Sequence, residues 1–158
     1  MVTSRFFVVV AVVAALASPF LLTTSAVASK PLSGTGTSTL TSSTVLSFRQ
    51  ADGNIVIEQQ NTRLDDGAFT GTVDEHLWLI VHPDGLVTLH AEAVLSGTYP
   101  ACGSDSVTQS IRLAGQIFPS GELRANFATT GGAAVPVQGT VEGSAGSDTS
   151  NFEISYHC

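Results

Sequence analysis

Lysine is nearly absent from this chain. Lys30 is the only one, and with five arginines it gives six basic residues against thirteen acids. A lysine so close to the N-terminus cannot serve as a buried Schiff-base nucleophile, and so acidic a chain lacks the basic footprint that nucleic acid requires. Cysteine is scarce too, with Cys102 and Cys158 the whole complement. A lipid-modified cysteine behind the N-terminal apolar run is therefore excluded, as are zinc sites built on spaced cysteine pairs. Nucleophile elbows, HExxH, phosphate-cradling glycine loops, calcium loops and glycosylation acceptors are all missing. Beyond residue 30 no helical hydrophobic period can be found.

The N-terminus supplies the one long apolar run. Arg5 precedes Phe6 to Leu22, and the small-residue stretch Ala26-Val27-Ala28 follows. This is the layout of a secretory signal peptide cleaved after Ala28, so residues 1–28 are read as that signal and the remainder as secreted. The rival is an uncleaved anchor, since a spanning helix takes roughly 20 apolar residues, but Ser18 and Pro19 interrupt the run. After cleavage no stretch remains that is long enough for stable membrane insertion as a helix. In an exported, oxidising compartment the two cysteines form one bridge, Cys102–Cys158, which pins the C-terminal strand.

The remaining sequence reads as strands between turns. Short runs rich in Val, Ile, Thr and Phe are punctuated by Asp52-Gly53, Asp66-Gly67, Pro83-Asp84-Gly85, Pro119-Ser120-Gly121, Gly131-Gly132 and Ser144-Ala145-Gly146. The clearest unit spans Phe69 to Leu95. Phe69, Val73, Leu77, Leu79 and Val81 alternate before the turn, and Val87, Leu89, Ala91, Ala93 and Leu95 alternate after it, which describes a hairpin with one buried face. Pro83 and Gly85 suit a three-residue loop. Phe118 to Glu122 repeats the chemistry, with Val107, Ile111, Leu113 and Ile117 before it and Leu123, Ala125 and Phe127 after it.

The fold class predicted is all-β: an antiparallel meander of about eight strands closed or nearly closed into a small barrel, with a β-sandwich as the alternative. Glycines 71, 97, 115 and 139 within strands are read as barrel bending points. Residues 29–43, rich in Ser, Thr and Gly, are read as a flexible lead-in or a first strand, and 44–158 as a single domain. Pro136 marks the strand from Val135 to Val141 as an edge or a bulge.

Gly67-Ala-Phe-Thr-Gly71, His82-Pro-Asp-Gly85, Leu95-Ser-Gly-Thr98 and Leu113-Ala-Gly-Gln-Ile-Phe118 together resemble an uncharacterised bacterial family of small β-barrels similar to allene oxide cyclases. The likeness covers roughly Gly34 to Gly146 and implies a barrel. It implies no established substrate and carries over no catalytic residue.

Two candidate sites follow from the register. One is the barrel interior, where Phe69, Leu79, Leu89 and Phe127, with Leu77 and Val81, would either pack solid or surround one small apolar ligand; Trp78 is added as an aromatic ligand contact. The other is the opposite face of the first hairpin, where Trp78 falls opposite His90 and His76 opposite Glu92, with His82 nearby. His76, His90 and Glu92 are candidate metal ligands such as zinc would take, against the plainer reading of a solvated strand face. No catalytic residue and no cofactor are predicted. The first functional expectation is a secreted, non-catalytic barrel that holds a small apolar ligand or contacts a partner. A cyclase- or isomerase-like enzyme using the cavity and a structural or surface-interaction protein are the alternatives.

Overall fold

The computed structural model describes residues 30–103 and 105–158, so the signal segment read at 1–28 lies outside the described residues. Eight strands run in chain order: β1 (Leu32–Ala51), β2 (Asn54–Gly67), β3 (Thr70–Val81), β4 (Val87–Thr98), β5 (Ser106–Ile117), β6 (Glu122–Thr129), β7 (Val137–Ser144) and β8 (Thr149–Tyr156). Each pairs antiparallel with its sequence neighbours, and β8 returns to β1, closing the ring. The sandwich alternative is thereby excluded.

The hairpin register is the one that turn chemistry predicts. Leu79 lies opposite Leu89, Trp78 opposite His90 and His76 opposite Glu92. At the turn, His82 N–H donates to the Leu86 carbonyl (2.8 Å), Gly85 N–H donates to the His82 carbonyl (3.0 Å), and Gly85 takes φ 85°. A side chain there would be strained in the left-handed region.

The ring is wider than its strand count requires. From Ser38 the cross-strand partners lead one way through Asp65, Gly71 and Gly97 to Val107. The other way they lead through Ser150, Gly143 and Leu123 to Ile117. Both ends lie on β5, ten residues apart, so the shear is ten. Greater shear tilts the strands and opens the cylinder, whereas a shear of about eight gives eight-stranded barrels with packed interiors.

Residues 32–43 belong to the barrel, which corrects a domain start at residue 44 and settles the lead-in as strand. Gly34, Gly36 and Ser38 on their inward face are small because neighbours occupy the space: a Cβ on Gly36 would collide with the Phe152 ring. Gly71 and Gly97, opposite each other, lie under Phe69 in the same way, and Gly139 under Phe127. These glycines make room for rings. Pro136 ends up just before β7, which pairs on both sides and is no edge.

One end of the barrel is closed by aromatic packing. Tyr99, the most buried large side chain, sits 5.1 Å from Phe69 and 5.3 Å from Tyr156 between ring centroids. Gln109 Nε2 donates to its hydroxyl at 2.8 Å, and burial pushes that phenol's pKa upward. The short 3₁₀ turn Pro100–Cys102 follows, and Cys102–Cys158 joins it to the end of the chain with Cα atoms 5.3 Å apart. At the other end β1 outruns its neighbour. Its residues 32–39 pair with β8 and 36–40 with β2, but 42–51 pair with β2 alone, with one bulge just before that stretch and one inside it. Val45 and Phe48 on this overhang are 56% and 66% exposed.

Candidate functional site

Alternation puts odd residues of β2 to β7 inside, and between the Tyr99 floor and the β7–β8 turn they leave a cavity of about 270 Å³. That lies just below the usual range for ligand pockets, roughly 300–1,000 Å³. Phe69, Leu79, Leu89 and Phe127 all line it, joined by Leu77, Leu95, Ile111, Ile117 and Leu123. Trp78 does not. Adjacent strand residues point to opposite faces, so with Leu77 and Leu79 inside, Trp78 lies on the outer wall, its ring tilted against His76 with centroids 4.1 Å apart.

The candidate metal ligands also occupy the outer wall. His76 Nε2 lies 2.6 Å from Glu58 Oε1, whose carboxylate also accepts from Ser47 Oγ at 3.0 Å. The His76 and Ser47 hydrogen bonds hold the Glu58 pKa below the usual carboxylate range. Glu92 faces Arg112 at 3.4 Å, and His90 is exposed. His82 is held between Asn54 Oδ1 (3.1 Å) and Thr88 Oγ1 (3.0 Å). Among the described residues no three His, Cys, Asp or Glu side chains come together as a metal site. His76, His90 and Glu92 share a face but not a centre, because a strand pair spreads side chains along a flat wall with neighbouring partners already engaged.

The interior holds polar groups that patterning did not reveal. Gln59, Asn61, Arg63 and Asp65 follow one another on the inward face of β2, and Glu75 on β3 stands opposite Asn61. Arg63 is fixed by neutral acceptors: Nε donates to Ser38 Oγ (2.8 Å), and Nη2 to the Ser38 carbonyl (3.1 Å) and Ser150 Oγ (3.1 Å). Ser38 in turn donates toward the Asp65 carboxylate. Desolvation nevertheless dominates at Asp65 and raises its pKa against the influence of Ser38 and Arg63. Glu75 is raised by the same cause, opposed by Arg63 and by the Asn61 amide and reinforced by the Asp65 charge.

Two acceptors in this cluster are unsatisfied. Asn61 Oδ1 and Asp65 Oδ1 are buried without a hydrogen-bond partner, in residues only 6% and 8% exposed. Such atoms ordinarily find partners, because an unmet buried polar group costs about 1–3 kcal/mol. The one sequence signal for this cluster is Glu75, the charge that interrupts the apolar series from Val73 to Val81.

No family model matches the chain, and no curated protein matches it either. Among the described residues no helix is long and apolar enough to cross a membrane.

Proposed function

We propose that this is an exported binding barrel that takes one small, largely apolar molecule into its interior without transforming it. The single observation that carries the reading is the cavity itself, walled by Leu77, Leu79, Leu89, Ile117 and Leu123 in a ring whose shear keeps it from packing solid. Export is supported by the N-terminal apolar segment with its small-residue cleavage site and by the Cys102–Cys158 bridge, which an oxidising compartment favours.

Native mass spectrometry of the protein purified from its own secreted fraction tests this directly. The expected result is a mass excess of one small molecule per chain, lost on denaturation and missing from a folded Leu77→Trp variant whose added ring fills the cavity. Absence of any excess, together with no saturable uptake of a neutral apolar fluorophore, would overturn the reading.

A second reading has an observation of its own. Asn61, Arg63, Asp65 and Glu75 reach into an otherwise apolar space, which suits a cyclase- or isomerase-like enzyme whose cavity holds a reactive molecule in one geometry. The resemblance to allene oxide cyclase-type barrels points the same way. A captured molecule that returns isomerised would favour it over binding alone.

A further inference from the structure

Carboxyl groups drawn out of water ordinarily pair closely with a cation, and the buried Asp65 and half-buried Glu75 do not. Among the described residues Arg63 is the only basic one on the cavity wall, and its hydrogen bonds run to Ser38, Ser150 and the Asp148 carbonyl, all neutral acceptors. Among the described residues neither Asp65 nor Glu75 forms an ion pair within 4.0 Å. The wall thus holds two acids for one guanidinium turned to other partners.

The orphaned acceptors sharpen this. Asn61 stands opposite Glu75, a pairing that sets Cβ atoms about 5 Å apart. Its amide serves the Glu75 carboxylate while its Oδ1 stays unpartnered in a residue 6% exposed. Deeper in the barrel, Asp65 Oδ1 is also unpartnered. Unmet acceptors beside a carboxylate that forms no ion pair call for a group that brings several N–H donors and a positive charge. An ammonium ion has three donors and no acceptor, whereas a ligand carboxylate would add acceptors and bring no donor.

We infer that the cavity is shaped for an apolar molecule ending in an ammonium group, which Asn61 Oδ1 and Glu75 bind directly while Asp65 adds its negative field from nearer the floor. This rests on the reading that the cavity takes a small apolar molecule. The hydrocarbon part then lies against Leu77, Leu79, Leu89 and Leu123. Nothing covalent is involved, and Arg63 anchors β2 to β1 and β8 without touching the ligand's charge.

Isothermal titration of the full secreted chain with octylammonium, octanol and octanoate isolates the head group at constant chain. Octylammonium is expected to bind about tenfold or more tightly than octanol, and octanoate weakest, as charge interactions in a low-dielectric site would give. Glu75→Gln should erase most of that preference and leave octanol within about twofold; Asp65→Asn should reduce it less, because Asp65 acts at longer range. Equal binding of octylammonium and octanol, tighter octanoate, or a preference that survives Glu75→Gln would overturn the inference while leaving the apolar cavity standing. Failure of all three to bind would overturn both.

Should the variant not fold, the wild-type chain supplies the same test. Arg63, Asp65, Glu75 and Tyr99 are the ionisable groups on the cavity wall, and an alkylammonium keeps its charge below about pH 10. Acidification should therefore weaken octylammonium through the two carboxyls and leave octanol unchanged, whereas parallel curves would refute the assignment.

Discussion

Replacing Cys102 and Cys158 together by Ala opens a covalent loop whose ends are 56 residues apart. In the chain-entropy description, a cross-link over that span removes about 14 cal/mol/K from the unfolded ensemble, or about 4 kcal/mol at 25 °C. The native barrel supplies little to offset the loss, since β8 stays paired with both β1 and β7. For a chain of this size each kcal/mol moves the melting temperature by about 4 °C, so the double variant should melt about 15 °C lower. Chemical denaturation separates cause from effect. If the bridge acts through the unfolded state, its removal lets that state expand and the denaturant slope rises along with the loss of stability. A loss below about 1 kcal/mol, or the full loss with an unchanged slope, would refute the entropic account. The second result would place the contribution in native contacts of Cys102, which packs against the core cluster of Phe69, Tyr99 and Tyr156.

Asp65 and Glu75 both have folded-state pKa values raised above their unfolded ones by burial. Their charged forms therefore oppose folding. Stability should be greatest below the unfolded carboxyl values, about pH 4, and fall as pH rises through the folded values, by about 1.4 kcal/mol for each unit of elevation. Thermal melts of wild type and of the Asp65→Asn/Glu75→Gln double variant from acid to neutral pH should show the wild type losing stability relative to the variant, the lowered pKa of Glu58 acting equally in both. A wild-type chain that gains stability relative to the variant over that range would contradict the burial of these groups. In a different part of the barrel, Gly97→Ala should cost about 1–3 kcal/mol or more. The new methyl would meet the Thr70 carbonyl oxygen and press toward Gly71 and the Phe69 ring; an unchanged denaturation midpoint would show that the floor can yield.

Much of the fold was legible because hairpins are local. Between Phe69 and Leu95 the turn residues set the register and alternation named the inner face, so four of five proposed ligand contacts line the cavity. Trp78 lies outside for a parity reason that its aromatic character conceals: its neighbours Leu77 and Leu79 claim the inside. The first strand was obscured because Gly34, Gly36 and Ser38 face inward beneath larger partners, leaving no apolar period to read. The polar row on β2 was invisible for a related reason. Gln59, Asn61, Arg63 and Asp65 point inward while Glu58, Gln60, Thr62 and Asp66 point outward, and with both parities polar no local rule tells core from surface. Only the pairing with β3, which sets Asn61 against Glu75, reveals the cluster. Closure of β8 onto β1 is likewise a long-range fact that no window of sequence contains.

The uneven length of β1 has a kinetic consequence for the barrel rim. Its outer half, from Ser42 to Ala51, is held by a single hydrogen-bonded ladder, while its inner half shares in closing the ring. Local opening draws on the least supported backbone first. The β1–β2 tip can thus fray and re-form with the ring intact, and its amides should exchange with solvent far sooner than those of β4, which is zipped on both flanks along its length. The frequency of that opening can be tuned at Val45, Leu46 or Phe48, none of which lines the cavity.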